Sequence, residues 1–226
     1  WSSDVCSSDL KIDKLIAEEI ERARKRAEEE ARRKAAAEAA ARKAAAAKAA
    51  EENKKSSGET ASTSKSGVKT SGKKVAPVEK FNLNNEDHRL SGNFERNRGI
   101  LPMPVTGPYV IVSHYGQYAV DGLRNVKLDN KGIDIKGKPG AKARAIFDGE
   151  VSAIFQYNGL NNILVRHGNY ISVYCNLSSV AVSKGSKVST KTILGTIHTD
   201  SSGNSVLHFQ LRKETAKLNP ELWLGR

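Results

Sequence analysis

The sequence predicts an all-β globular domain preceded by a long α-helical arm, and three observations lead to this prediction. Twelve of the thirteen aromatic residues in the 226-residue chain lie at Phe81 or beyond. Between Glu21 and Lys74, Val68 is the only aliphatic residue larger than alanine, so this stretch cannot form a packed core. After Pro77, short alternating apolar runs are separated by Gly, Asn and Asp, a pattern typical of strands and turns. We therefore expect one folded domain in roughly the last two-thirds of the chain.

The segment 1–10 resembles the translation of a common sequencing adapter and matches nothing downstream. We interpret it as a sequencing-adapter artefact and exclude it from the prediction of the fold. On this interpretation the genuine N-terminus is lost, no signal peptide is visible, and Cys175 is the one authentic cysteine. A short disordered tail is the alternative, and it leads to the same exclusion.

Residues 11–52 contain neither glycine nor proline and predict a long helix. Thirteen of the twenty residues in 31–50 are alanine, the strongest helix former. Several glutamates precede a basic residue by four positions, which is the spacing of intrahelical ion pairs. Ile12, Ile16 and Ile20 begin a narrow stripe that continues in alanines, and this stripe favours a weak or partner-dependent coiled coil.

Residues 53–76 are rich in serine, glycine and lysine and predict a disordered linker.

The chain has a net charge of +12, but acidic and basic residues are mixed along the helix, which argues against a nucleic-acid-binding arm. No run approaches the roughly 18 apolar residues of a membrane span. We therefore expect the function to reside in the β domain, 77–226, and the helix to act as a spacer.

Seven segments of this domain predict strands. They are 109–114, 143–147, 150–155, 162–166, 170–174, 193–197 and 206–211. Asp148-Gly149 and Gly168-Asn169 each lie between two such segments, as tight hairpin turns do. Residues 86–98 predict a short helix before the first strand.

Five polar motifs lie in or between these segments. They are Asn130-Lys-Gly-Ile-Asp134-Ile, Asp148-Gly-Glu-Val151, Arg166-His-Gly-Asn169, Tyr174-Cys-Asn-Leu177 and Leu207-His-Phe-Gln-Leu-Arg212. In this order they resemble the LytM/lysostaphin-type zinc peptidase domain, and the resemblance covers about 98–224. It implies an all-β, LytM/lysostaphin-like fold of the duplicated hybrid motif type. The segments 98–105 and 218–224, together with the helical arm, are similar in particular to the EnvC-type murein hydrolase activators, in which the peptidase fold is retained and the chemistry is lost.

In active members of that family, a His and an Asp four residues later bind zinc with the second His of a His-x-His strand, and two further histidines handle protons. By this resemblance, Asn130 replaces the first ligand, whereas Asp134 and His208 match the other two. The proton-handling positions hold Asn176 and Val206, whose side chains cannot accept and return a proton near neutral pH. We therefore expect no catalytic residue and no cofactor, with Asn130, Asp134 and His208 as vestigial ligand positions.

Simpler roles rank above metal binding for the matching residues. Asp134 could cap a turn, and His208 could be a strand histidine whose hydrogen bonds are satisfied. His167 is expected to be structural. Cys175 precedes Asn176, so we expect it on the opposite side of the strand, buried and without a nucleophilic role.

The resemblance implies a function in binding. Five positions would line a groove that captures a segment of a peptidoglycan amidase and activates it during cell separation: Asn130, Asp134, Asn176, Val206 and His208. Peptidoglycan itself and, through the helical arm, a division-site complex are further expected partners, whereas no nucleic acid is expected. The family implies a periplasmic or cell-envelope location. The alternative is a weakly active zinc metalloendopeptidase that cleaves peptidoglycan cross-links, with zinc at Asp134 and His208.

Overall fold

The computed structural model describes residues 2–53, 85–119 and 127–225, with the side chains of 10–41, 86–117 and 129–225. Nearly all of the predicted linker, 53–76, lies outside these residues. The helices are α1 (Ser2–Asn53), α2 (Asn85–Arg96) and a short 3-10 helix (Pro220–Leu222). The strands are β1 (Tyr109–Ser113), β2 (Gly116–Ala119), β3 (Lys127–Asn130), β4 (Ile133–Gly137), β5 (Lys142–Arg144), β6 (Gly149–Tyr157), β7 (Leu160–His167), β8 (Tyr170–Val180), β9 (Lys187–Val188), β10 (Ile193–Ile197), β11 (Ser205–Lys213) and β12 (Ala216–Leu218). Within the described ranges, no helix is both long and apolar enough to cross a membrane.

The long N-terminal helix predicted from the alanine-rich composition is confirmed by α1, which also includes residues 2–10. The chain divides into two compact units, and the division falls inside this helix. Residues up to Ala23 belong with the β domain, whereas a second unit begins at Arg24. In the second unit, Lys34 Nζ lies 2.7 Å from Glu30 Oε1, one of the predicted pairs four residues apart.

One antiparallel sheet forms the centre of the β domain, as the all-β prediction requires. Its strands lie in the order β1-β4-β11-β8-β7-β6-β9, with β10 paired to β8 and β5, and β12 paired to β11. β2 and β3 form a separate two-stranded sheet. Because β4 lies beside β11, two motifs that are distant in the sequence meet in the middle of the main sheet.

Helix α2 packs against the core face of the main sheet through the aromatic side chain of Phe94. Phe94 is fully buried, and its ring stacks on His167 at 5.1 Å and on Tyr170 at 4.6 Å between centroids. Gly168 has a φ of +73°, and a Cβ there would lie 2.2 Å from Ser91 Oγ. The glycine therefore serves both the turn between β7 and β8 and the close approach of α2.

One of the two predicted hairpin turns is confirmed and the other is wrong. Gly168-Asn169 connects β7 and β8, which pair antiparallel. Asp148-Gly149 does not connect paired strands, because β5 pairs with β10 and β6 pairs with β7 and β9. The turn that joins β6 to β7 is Asn158-Gly159, with φ values of 48° and 76°. This is the Asn-Gly pair that suits a two-residue hairpin turn.

The opposite face of the sheet is covered in part by the first turns of α1. Ile12 and Ile16 are buried there against an apolar group on β7 and β8, which consists of Leu164, Ile171, Val173 and Cys175. We expected the isoleucine stripe to form the seam of a coiled coil, but in this structure its first two residues pack on the β domain. The sheet offers large aliphatic side chains, whereas an alanine seam offers little apolar area to bury.

Candidate functional site

The pairing of β4 with β11 brings the predicted ligand positions together. Asp134 lies directly opposite His208 in the strand register. Asn130 ends β3 and is followed by a tight turn, in which its Oδ1 accepts a hydrogen bond from the Gly132 backbone nitrogen at 3.0 Å. A Cβ at Gly132 would lie 2.2 Å from the carbonyl oxygen of Phe209, so only glycine lets this turn approach β11.

Three predicted site residues form direct hydrogen bonds with one another. His208 Nδ1 lies 2.7 Å from Asp134 Oδ1. Asn130 Nδ2 donates to the other carboxylate oxygen, Oδ2, at 3.3 Å. The His208 side chain is 11% exposed and that of Asp134 is 24% exposed. The site is therefore a small, partly buried cluster whose polar groups are satisfied internally.

Two site residues were missed by the prediction from the sequence, Gln210 and Arg212. Gln210 Nε2 lies 2.9 Å from His208 Nε2, and Arg212 donates from Nε and Nη2 to Gln210 Oε1 at 3.2 and 2.8 Å. Arg212 Nη1 in turn donates to Asp13 on α1. A signal was present, since positions 208, 210 and 212 alternate with apolar residues and must share one face of a strand.

The two proton-handling positions lie near this cluster, but no contact joins them to it among the described hydrogen bonds. Val206 precedes His208 by two residues on the same face of β11 and lies opposite Lys136. Asn176 follows Cys175, which lies opposite His208. Asn176 has a φ of 69° and therefore breaks the regular alternation of β8.

Cys175 is buried, as expected. It lies on the same face as His208 because the two residues are register partners. The burial comes from α1, since Cys175 belongs to the apolar group beneath Ile12 and Ile16. The thiol is therefore covered by a helix that lies far from Cys175 in the sequence.

The donor set does not fit a catalytic zinc ion, which requires three good nitrogen, oxygen or sulfur ligands. The Asn130 oxygen is directed at Gly132, and its amide nitrogen is directed at Asp134. Both ring nitrogens of His208 already have hydrogen-bond partners. Among the residues that the structure describes, no group of three His, Cys, Asp or Glu side chains is placed to hold a metal.

A second arginine on this face is surrounded by carboxylates. Arg166 Nη1 lies 2.7 Å from Asp87 Oδ1 on α2, and Nη2 lies 3.4 Å from Glu150 Oε2 on β6. Glu19 on α1 is 3.9 Å from Nε. Burial disfavours the charged guanidinium, but these three carboxylates outweigh it and raise the pKa of Arg166. This ion cluster joins α1, α2 and the sheet.

The residues that build this site also match a known family. Residues 129–220 match the family model described as Peptidase family M23. The matched range contains the Asn130 turn, Asp134 on β4 and the whole of β11. The sequence motifs and the family model therefore point to the same part of the chain.

Individual proteins are similar over the same domain. An uncharacterized protein of Neisseria meningitidis serogroup B (strain ATCC BAA-335 / MC58) is 30% identical over 159 residues, which are 65% of this chain and 25% of that protein. The murein hydrolase activator EnvC of Escherichia coli (strain K12) is 30% identical over 139 residues, 60% of this chain and 32% of that protein. This chain thus spans between a quarter and a third of the length of these two relatives.

Among solved structures, the NMR solution structure of lysostaphin aligns with 50% of this chain and 48% of its own, at 26% identity and a TM-score of 0.41. The order of the motifs, the pairing of β4 with β11 and the family match over 129–220 all concern the same part of the β domain. Over these residues, the β domain is similar to peptidase family M23.

Proposed function

We propose that this protein is a catalytically inactive M23-type domain that binds and activates a peptidoglycan amidase during cell separation. The observation that carries the proposal is the state of the site: Asp134 and His208 are bonded to each other and to Asn130 and Gln210. The similarity to a protein named murein hydrolase activator supports the same role. On this proposal the protein acts in the cell envelope, and its helical arm holds it at a division-site complex.

The absence of proton-handling groups supports the lack of catalysis. Peptide hydrolysis requires a group that accepts a proton from water and returns it to the leaving amine. The amide of Asn176 and the isopropyl group of Val206 can do neither near neutral pH. Asp134 and His208 therefore stand without the partners that hydrolysis needs, even if a metal were supplied.

Exposed apolar residues beside the site support a binding role. β1 is an edge strand of the main sheet, and Val110 and Val112 are 64% and 50% exposed. Val110 lies opposite Lys136 on β4, and Lys136 in turn lies opposite Val206 on β11. These side chains form an apolar strip with one cation beside the vestigial site. Neighbouring exposed apolar residues of this kind are typical of interaction surfaces.

The other half of the same face is covered by α1. A partner segment can therefore bind on the open half, along β1, β4 and β11, while α1 stays in place. A segment that extended onto β8 and β7 would have to displace Ile12 and Ile16 from their apolar contacts.

The basic character of the domain, with 19 Lys and Arg against 12 Asp and Glu in residues 77–226, supports an acidic partner surface or anionic peptidoglycan.

The proposal is tested by dye release from labelled peptidoglycan sacculi. We expect the full chain alone to release no dye and a purified cell-wall amidase alone to release little. Together they should release about tenfold more, a change that corresponds to about 1.4 kcal/mol. Val110→Asp with Val112→Asp should abolish the increase, whereas Leu222→Asp, which alters a similarly exposed aliphatic residue on the 3-10 helix and not on β1, should retain it.

The endopeptidase alternative predicts a different result in the same assay. A weak metallopeptidase would release dye without the amidase, in a zinc-dependent manner. Loss of that release in an Asp134→Ala variant would overturn the proposal. If the chain neither binds the amidase nor raises its activity, the proposal of an activator is also wrong.

A further inference from the structure

We infer that Gln210 and Arg212 fix His208 in the neutral tautomer that carries its hydrogen on Nδ1. This tautomer disfavours zinc binding between Asp134 and His208, and it does so independently of the asparagine at position 130. Gln210 and Arg212 act as positioning residues, because neither has a place among the ligand positions. The inference concerns the site itself and does not depend on an amidase partner.

The orientation of the Gln210 amide follows from its contact with Arg212. A guanidinium group has donors and no acceptor. Its Nε and Nη2 lie 3.2 and 2.8 Å from the same Gln210 atom, Oε1. The carboxamide oxygen therefore faces Arg212, and the amide nitrogen faces His208. The reverse orientation would set the amide donors against the guanidinium donors in a fully buried place.

The tautomer of His208 follows from the orientation of the amide. Gln210 Nε2 can only donate, and it lies 2.9 Å from His208 Nε2. His208 Nε2 must therefore accept and carry no hydrogen. In the neutral ring the hydrogen is then on Nδ1, which donates to Asp134 Oδ1 at 2.7 Å.

A metal between Asp134 and His208 requires the opposite tautomer. The ion would take the lone pair of Nδ1, and the ring hydrogen would move to Nε2. There it would face the Gln210 amide, so that two donors would point at each other. Metal-bound histidines instead donate from the second ring nitrogen to an acceptor, and no acceptor is presented at position 210.

The Arg212 side chain is itself held on both sides. It is 2% exposed, and Nη1 donates to Asp13 on α1. Lys217 Nζ lies 3.5 Å from the other Asp13 carboxylate oxygen. The direction of donation is thus fixed from Arg212 to Gln210, then to His208, then to Asp134. The docked helix supplies the carboxylate at the start of this series.

The first test reads the tautomer directly in the full chain. Proton-coupled nitrogen NMR of histidine-labelled protein at about pH 8, where imidazoles are neutral, should show the His208 hydrogen on Nδ1. In Gln210→Glu, whose carboxylate only accepts, Nε2 should also carry a hydrogen, because Asp134 still accepts from Nδ1. Gln156→Glu adds the same charge on β6 and should leave the spectrum of His208 unchanged. A wild-type hydrogen on Nε2, or an Nε2 without a hydrogen in Gln210→Glu, would overturn the inference.

The second test uses zinc alone and is measured by calorimetry on full chains in which Cys6→Ser removes the thiol of the segment 1–10. Asn130→His restores a third ligand and should bind zinc weakly. Adding Gln210→Glu should tighten binding by about 10–100-fold, the range seen for groups that orient metal ligands. Asn130→His with Gln156→Glu is the charge-matched control and should behave like Asn130→His alone. Equal affinity in all three variants would contradict the inference. If the double variant does not fold, the wild-type tautomer still decides the question.

Discussion

His167 shows how one buried residue organises the core face of the domain. Its Nδ1 donates to the Asp148 carbonyl oxygen at 2.7 Å, so its Nε2 accepts from the Ser172 hydroxyl at 2.7 Å. Ser172 Oγ is 3.3 Å from the Tyr174 hydroxyl, which accepts from the Ile146 backbone nitrogen. In the neutral ring with its hydrogen on Nδ1, both ring nitrogens are satisfied. The structural role expected for this histidine agrees with these contacts.

The stability of the domain should depend on pH through this residue. Burial lowers the pKa of His167 from 6.5 to about 4, so the unfolded chain takes up its proton first as the pH falls. The contribution is fully present above pH 6.5 and is lost between pH 6.5 and about 4. Its size is about 3 kcal/mol. Urea unfolding at several pH values measures it.

A variant separates this effect from the titration of carboxylates. His167→Gln should be less stable at neutral pH, but its stability should fall less steeply between pH 6.5 and 4 than that of the wild type. His88 is exposed, and His88→Gln should give the wild-type pH profile. A parallel fall in the wild type and in His167→Gln would contradict the assignment.

Part of the candidate site could be predicted from single residues, and part could not. The motif order predicted that Asn130, Asp134 and His208 belong together, and hydrogen bonds join them. Gln210 and Arg212 were missed because their role depends on which way an amide points. That orientation is fixed by contacts across the sheet and from α1, which the sequence pattern does not encode.

At the scale of elements, α1 was predicted as a helix but not as a cover for the sheet. Alanine content and ion-pair spacing determine the helix locally. The stripe of Ile12, Ile16 and Ile20 indicates that a partner surface exists, but the same spacing suits another helix or a sheet. The partner in this structure is the apolar group on β7 and β8, with Lys11 also lying 5.3 Å over the Phe155 ring.

Removal of one isoleucine should uncover the thiol beneath this helix. Ile16→Asp would set a carboxylate against Ile171, Val173 and Cys175, so the first turns of α1 should leave the sheet. In a Cys6→Ser background, alkylation of Cys175 by iodoacetamide should become about tenfold faster. The rate of labelling, followed by mass spectrometry, measures the change.

A neighbouring position provides the matched control for this experiment. Ala17 is exposed on the same turn of α1, so Ala17→Asp adds the same charge without entering the apolar group. Its labelling rate should equal that of the wild type. Equal rates in Ile16→Asp and Ala17→Asp would show that the packing of α1 does not protect Cys175.

The strands were predicted where side chains alternate over several residues and missed where strands are short or polar. Strands overlap all seven predicted segments, namely β1, β5, β6, β7, β8, β10 and β11. β4 was recognised only as a motif, because its five residues include Asp134 and Lys136. The Asn158-Gly159 turn carried a usable signal, whereas Asp148-Gly149 carried a misleading one, since a dipeptide cannot show which strands pair.

At the scale of the whole molecule, composition predicted an alanine-rich helix separate from an aromatic-rich β domain. In the structure, the residues of the helix before Arg24 belong with the β domain. The reason is that the large aliphatic side chains of α1 between residues 12 and 20 pack against the sheet, namely Ile12, Leu15, Ile16 and Ile20, and that Glu19 pairs with Arg166. Beyond Ala23 the helix has only alanines and charged residues up to Glu52.

This division should be visible when the protein is heated. The β domain has a packed core and should unfold in one cooperative transition. Residues 24–52 offer only alanine and charged side chains, so their helix should melt gradually and at lower temperature, as isolated alanine-rich helices do. We therefore expect the far-ultraviolet circular dichroism at 222 nm to fall over a broad range, whereas the near-ultraviolet signal of the buried aromatic residues falls in one step. Ala40→Pro, which costs a helix interior about 3 kcal/mol, should reduce the broad phase and leave the sharp step unchanged. Two superimposable curves in the wild type would instead mean that the second unit unfolds together with the β domain.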